Sequence, residues 1–166
     1  MAYQVAQRVA CDGGAEEEVA LVEELWPQIA IAPTYDEYRQ AVDTLIGIAG
    51  VQAHTGLEPM EEENWSPWPT DIDAFFNPME IVSHNTIPML VLFGELDKNV
   101  DTIQGAQAYE AALGLAGKTS YQNVVIPGAR HMLEATATGC IDEPSEGTYV
   151  REYLTTLETW LQQLPE

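Results

Sequence analysis

Basic residues are almost missing from this sequence: 6 Lys and Arg stand against 27 Asp and Glu, a formal net charge of −21 over 166 residues. A surface of that sign repels phosphate backbones, which argues against nucleic acid as a partner. It disfavours anionic membrane faces for the same reason. Long apolar runs are missing too, and no stretch approaches the roughly 18 residues that a membrane span needs. Met1 to Gly14 shows no basic start followed by an apolar run, so no signal peptide is expected and the chain reads as cytoplasmic. Only Cys11 and Cys140 represent cysteine, with no disulfide framework and no metal spacing. A small residue at a helix–loop joint is expected at Cys11, and a packed or loop thiol at Cys140. His54 and His84 have no second ligand at metal spacing, so neither a metal nor a cofactor is expected.

What is present is a 46% hydrophobic composition, enough for a globular core. From Glu16 to Trp26, Val19, Val22 and Leu25 recur with acids between them, an amphipathic helix that Pro27 should stop. After Pro33, Tyr35, Tyr38, Val42, Leu45 and Ala49 share one helical face. Between Gly56 and Pro78 the periodicity fails, with Asp71 to Phe76 as a candidate short helix. Trp65 and Trp68 in this stretch are read as packing the linker against a sheet or lining a substrate entrance. The glutamates at 61 to 63 read as a solvated loop.

The texture changes at Ile87. Met89 to Phe93 is a short run, apolar on both faces and ended by Gly94, the pattern of a buried parallel strand. Asp101, with Gln104 three residues on, predicts a capped helix whose inward face carries Ile103, Ala106, Tyr109 and Leu113 and which ends near Gly117. A second strand spans Gln122 to Ile126 and stops at Pro127-Gly128. A final helix carries a wide apolar stripe: Val150, Tyr153, Leu154, Leu157, Trp160, Leu161 and Leu164. Strand, helix, strand, helix makes a βαβ unit with a closing helix.

In parallel α/β sheets, functional side chains sit on loops just past the carboxyl ends of strands. Two loops fit: Gly94 to Val100, which contains Asp97, and Gly128 to His131. Adjacent parallel strands would bring Asp97 and His131 within hydrogen-bonding reach. A carboxylate that holds an imidazole in one tautomer leaves its other nitrogen free to take a proton. Read singly, Asp97 is a turn or capping residue and His131 a surface residue; together, on consecutive strand ends, they form an acid–base pair. Glu95 and Lys98 shape the acid loop and need no catalytic role.

The segments IPMLVLFGELDKNVDTIQGAQAYEAAL, VVIPGARHMLEATATGC and YVREYLTTLETWL, in that order and spacing, resemble the C-terminal part of bacterial serine hydrolases of the α/β-hydrolase fold, esterase- or acyl-peptidase-like members in particular. The resemblance covers about residues 74 to 162; Glu16 to Val51 is similar, more loosely, to that family's inserted helical cap. It implies an α/β fold in which residues 1–73 form a helical cap-like segment and linker. Residues 74–166 would then form the C-terminal core portion, with parallel strands and flanking helices. It also implies Asp97 as triad acid, His131 as triad base and a small ester or acyl compound as substrate.

The departure from the family is the nucleophile elbow, G-x-S-x-G. Ser66, Ser83, Ser120 and Ser145 all lack glycine on both sides at that spacing, and there is no Gly-rich oxyanion segment. Val9-Ala10-Cys11-Asp12-Gly13 echoes a cysteine elbow, but no apolar strand precedes it and Val9 stands where glycine is needed. A short sheet of this kind leaves a strand edge uncovered. Pairing with a second copy, or with a chain that supplies a complementing N-terminal hydrolase half, is therefore expected. Two functions stay open: a hydrolase whose nucleophile is not identifiable in this chain, weakly active alone or completed by another, and an inactive assembly or binding module.

Overall fold

The computed structural model describes residues 1–69, 78–117, 120–144 and 147–164. It divides into two compact units, Met1–Phe76 and Asn77–Glu166. Among the described residues the fold is mixed α/β, with seven α-helices and a two-stranded parallel sheet. No described helix is long and apolar enough to cross a membrane.

The first unit is helical: α1 (Ala2–Cys11), α2 (Glu16–Ile31), α3 (Tyr35–Ile46) and α4 (Ala49–Thr55), followed by a 3₁₀ turn at Glu62–Asn64. Val5, Ala6, Val9, Val22, Leu45, Ile48 and Val51 form its core. Pro27 does not end α2, contrary to the sequence expectation; the helix runs on to Ile31 with the proline inside it. Proline removes one hydrogen bond to the preceding turn. Trp26 and Ile29, packed on the core on either side of Pro27, hold the helix together across that gap. The face expected to run from Tyr35 to Ala49 is split. Ile48 leaves helical geometry (φ −90°, ψ 114°) to bury its side chain, so α4 starts afresh at Ala49. Trp65 packs on α3, its ring 5.9 Å from those of both Tyr35 and Tyr38. The short helix expected at Asp71 to Phe76 lies outside the described residues.

The second unit carries α5 (Met79–His84), β1 (Met89–Gly94), α6 (Thr102–Leu115), β2 (Tyr121–Ile126) and α7 (Arg151–Gln162). The strands pair in parallel from Met89↔Tyr121 to Gly94↔Ile126, so both carboxyl ends finish level. Asp101 caps α6 by accepting the Gln104 N–H at 2.9 Å. Val91, Phe93 and Leu113 make the core. Ile103, expected to face inward, is 71% exposed. The reason is Gly105: a Cβ there would stand 2.7 Å from the Phe93 ring, so α6 rests on the strand through a glycine. The buried face is thereby rotated to Thr102, Gly105, Ala106, Tyr109 and Leu113. The α7 stripe is only partly covered, with Leu154 and Leu161 about half exposed.

Neither cysteine is a free thiol. This corrects the reading of Cys140 as a packed or loop thiol. It also removes Cys11 as a nucleophile, because attack requires a thiolate that an oxidised sulfur cannot supply.

Candidate functional site

Because β1 and β2 end level, the loops that follow them emerge side by side. The acid loop continues the strand pairing for two residues: Glu95 N–H donates to the Ile126 carbonyl (3.0 Å) and Leu96 N–H to that of Ala129 (2.9 Å). The approach depends on Gly94, where a Cβ would sit 2.5 Å from the carbonyl oxygens of both Ala129 and Arg130. The Thr102 hydroxyl, buried at the head of α6, donates to the Gly94 carbonyl at 2.6 Å and ties the start of the loop to the helix that follows it.

Asp97 is 5% exposed, and its two carboxylate oxygens do different work. Oδ1 accepts the N–H groups of Asn99 (2.7 Å) and Val100 (3.0 Å), which folds the loop around the side chain. Oδ2 accepts the Nδ1–H of His131 at 2.8 Å. The carboxylate is therefore both the turn-former and the partner of the imidazole. A carboxylate can only accept, so the proton of this bond lies on Nδ1 and Nε2 is left with a lone pair. Nε2 has no hydrogen-bond partner among the described residues, and the His131 side chain is 45% exposed.

His131 sits in a tight β-turn, Arg130 to Leu133, closed by the Leu133 N–H donating to the Arg130 carbonyl at 2.8 Å. Leu133 has φ 59°, the only positive φ outside glycine among the described residues. A branched side chain in that region costs about 1–2 kcal/mol. The turn is held from several sides. Arg130 N–H donates to the Glu134 carbonyl (3.0 Å), the Arg130 and Glu134 side chains pair, and Val150 N–H donates to the Leu133 carbonyl (3.0 Å).

A further fastening lies beyond the turn. The Glu143 carboxylate accepts the Ala137 N–H (2.6 Å), the Thr136 hydroxyl (2.6 Å), and the Thr138 hydroxyl (2.6 Å) and N–H (2.9 Å). These donors, the Ala137 amide foremost, hold its pKa down at about 2 against an ordinary 4.5. A depressed carboxylate contributes stability that is complete above pH about 4.5 and is lost as pH falls through about 2. We expect the Ala137 and Thr138 amide resonances to titrate near pH 2 in the native chain and not to titrate there in Glu143→Gln. A midpoint near 4.5 in the native chain would contradict this cradle.

Of the remaining candidates, Ser83 donates to the Glu80 carbonyl and His84 Nδ1 lies 2.7 Å from the same oxygen, so both are spent inside α5. His54 donates through Nε2 to Asp12 at 2.7 Å, within the helical unit. Ser145 lies outside the described residues. No serine or cysteine is hydrogen-bonded to His131 among the described residues. Nor is any group of three His, Cys, Asp or Glu placed there to hold a metal ion. The sequence reading missed Glu143 and Gly139, since an acid in an acidic loop and one glycine among twelve carry no local signal. No known protein-family model, no curated protein and no solved structure matches the chain.

Proposed function

We propose that the chain is the acid–histidine portion of a hydrolase of the α/β-hydrolase kind, acting on carboxylic esters or related acyl compounds. The observation that carries the proposal is the 2.8 Å bond from His131 Nδ1 to a buried carboxylate, with the opposite ring nitrogen facing outward. In this reading Asp97 fixes the tautomer and stabilises the imidazolium. His131 Nε2 takes the proton from an attacking oxygen and returns it to the leaving alcohol. General acid–base assistance of this type is worth about 10²–10⁴ in rate.

The nucleophile comes from a second copy or from a chain that supplies the missing half of the sheet. Two features favour such a partner: β1 and β2 pair with no further strand among the described residues, and a leucine ridge stands uncovered on α7. The unpartnered Nε2 also favours a second reading, an inactive assembly module that retains the pair as a relic.

The test is hydrolysis of a short-chain activated ester by the purified chain beside His131→Ala, with mass measured by light scattering. Activity in a dimer that disappears in His131→Ala supports the hydrolase reading. Activity untouched by the substitution, or none in any oligomeric form or on addition of a complementing half, favours the assembly module.

A further inference from the structure

Glu95 lies outside the acid–histidine pair, yet its carboxylate crosses from one loop to the other. Oε2 accepts the Gly128 N–H at 2.8 Å. The position is informative. A parallel ladder that continued past Glu95 N–H to the Ile126 carbonyl would next bring the Gly128 N–H to the Glu95 main-chain carbonyl. The chain cannot continue that ladder, because Pro127 and Gly128 turn out of the strand and Gly128 adopts φ 64°. The Glu95 side chain supplies the acceptor its own backbone no longer reaches. Gly128 is therefore held at both ends: its N–H on Glu95, and its carbonyl on the Thr136 N–H at 3.1 Å. Three residues later the chain reaches His131.

We propose that Glu95 is a positioning residue for His131: by fixing Gly128 it sets where the histidine turn leaves the sheet, and so the register between the imidazole and Asp97. The proposal rests on the reading of Asp97 and His131 as a working acid–base pair. The side chain does not touch the imidazole and has no part in proton transfer. Its effect is geometric, and a carboxylate or amide oxygen at the same reach should serve equally.

The experiment is nitrogen-15 NMR of the full chain, which reads the His131 Nδ1–H proton, the imidazole tautomer and exchange of the Gly128 amide. In the native chain and in Glu95→Gln, Nδ1–H is expected to be protected and the Nδ1–H tautomer to dominate. In Glu95→Ala, loss of one hydrogen bond to a charged group is expected to speed exchange at Gly128 and at His131 Nδ1–H by about tenfold. The Leu113 methyl shifts should stay in place. Glu95→Asp keeps the charge but falls one methylene short, so it should behave as Glu95→Ala does and covers the case in which the alanine variant folds poorly. A native His131 signal that survives unchanged in Glu95→Ala or Glu95→Asp overturns the positioning role. A native chain with no protected Nδ1–H, already indistinguishable from Asp97→Asn, overturns the acid–base pair itself and the positioning role with it.

Discussion

Replacing Asp97 with asparagine is expected to leave the fold standing and to disable His131, whereas alanine at the same position should damage both. The Asn99 and Val100 amides need an acceptor, and an asparagine oxygen can occupy the place of Oδ1. That choice turns the NH₂ group toward His131 Nδ1, which must then accept. The ring proton moves to Nε2, and the nitrogen meant to take a proton already carries one. In the assembled hydrolase, kcat should fall by about 10⁴-fold, the loss a wrong tautomer brings to triad enzymes. Alanine instead leaves two loop amides without their acceptor, at about 1–3 kcal/mol for each one that stays out of water. Urea denaturation and ester hydrolysis, measured on both variants, separate the two roles of the carboxylate. Asparagine at full activity would remove Asp97 from the chemistry.

The largest loss of stability is expected at Gly139. Its φ is 80°, and a Cβ there would stand 1.8 Å from the Leu96 carbonyl oxygen, directly behind the acid loop. Alanine combines an unfavourable backbone with a collision against main chain, which cannot swing aside as a side-chain tip can. Strain and overpacking each contribute about 1–3 kcal/mol, so a loss of about 3–5 kcal/mol is expected. Gly117 is the control: its φ is 65°, but nothing lies within 4 Å of the added carbon, so only the backbone cost of about 1–2 kcal/mol applies. Equal losses at the two glycines in chemical denaturation would mean that the Leu96 contact yields more readily than its geometry implies.

The acid and histidine loops were legible because each follows a short strand that is apolar on both faces and ends in glycine or Pro-Gly. Parallel pairing then leaves little freedom in where the loops meet. Asp101 was legible for a similar reason, since capping is decided within a single turn. What escaped was everything that depends on partners distant in sequence. Gly105 carries no hydrophobic signal, yet its lack of a side chain sets how α6 is rolled on Phe93 and leaves Ile103 in water. Pro27 reads locally as a stop, and only the packing of Trp26 and Ile29 on the helical core overrides it. The oxidation of Cys11 and Cys140 could not be read from spacing, because two cysteines fix no framework. The Glu95 contact depends on a ladder position vacated by a turn more than thirty residues away, which no local pattern records.

The closing helix and the histidine turn form one hydrogen-bonded piece of chain. Val150, the cap of α7, is bonded to Leu133, and Tyr149 and Thr148 run antiparallel against Glu134 and Ala135. The half-exposed leucines 154 and 161 thus stand on a lever whose short arm carries the imidazole. Anything that presses on that ridge is felt, through one loop and without a separate relay, as a tilt of His131 against Asp97.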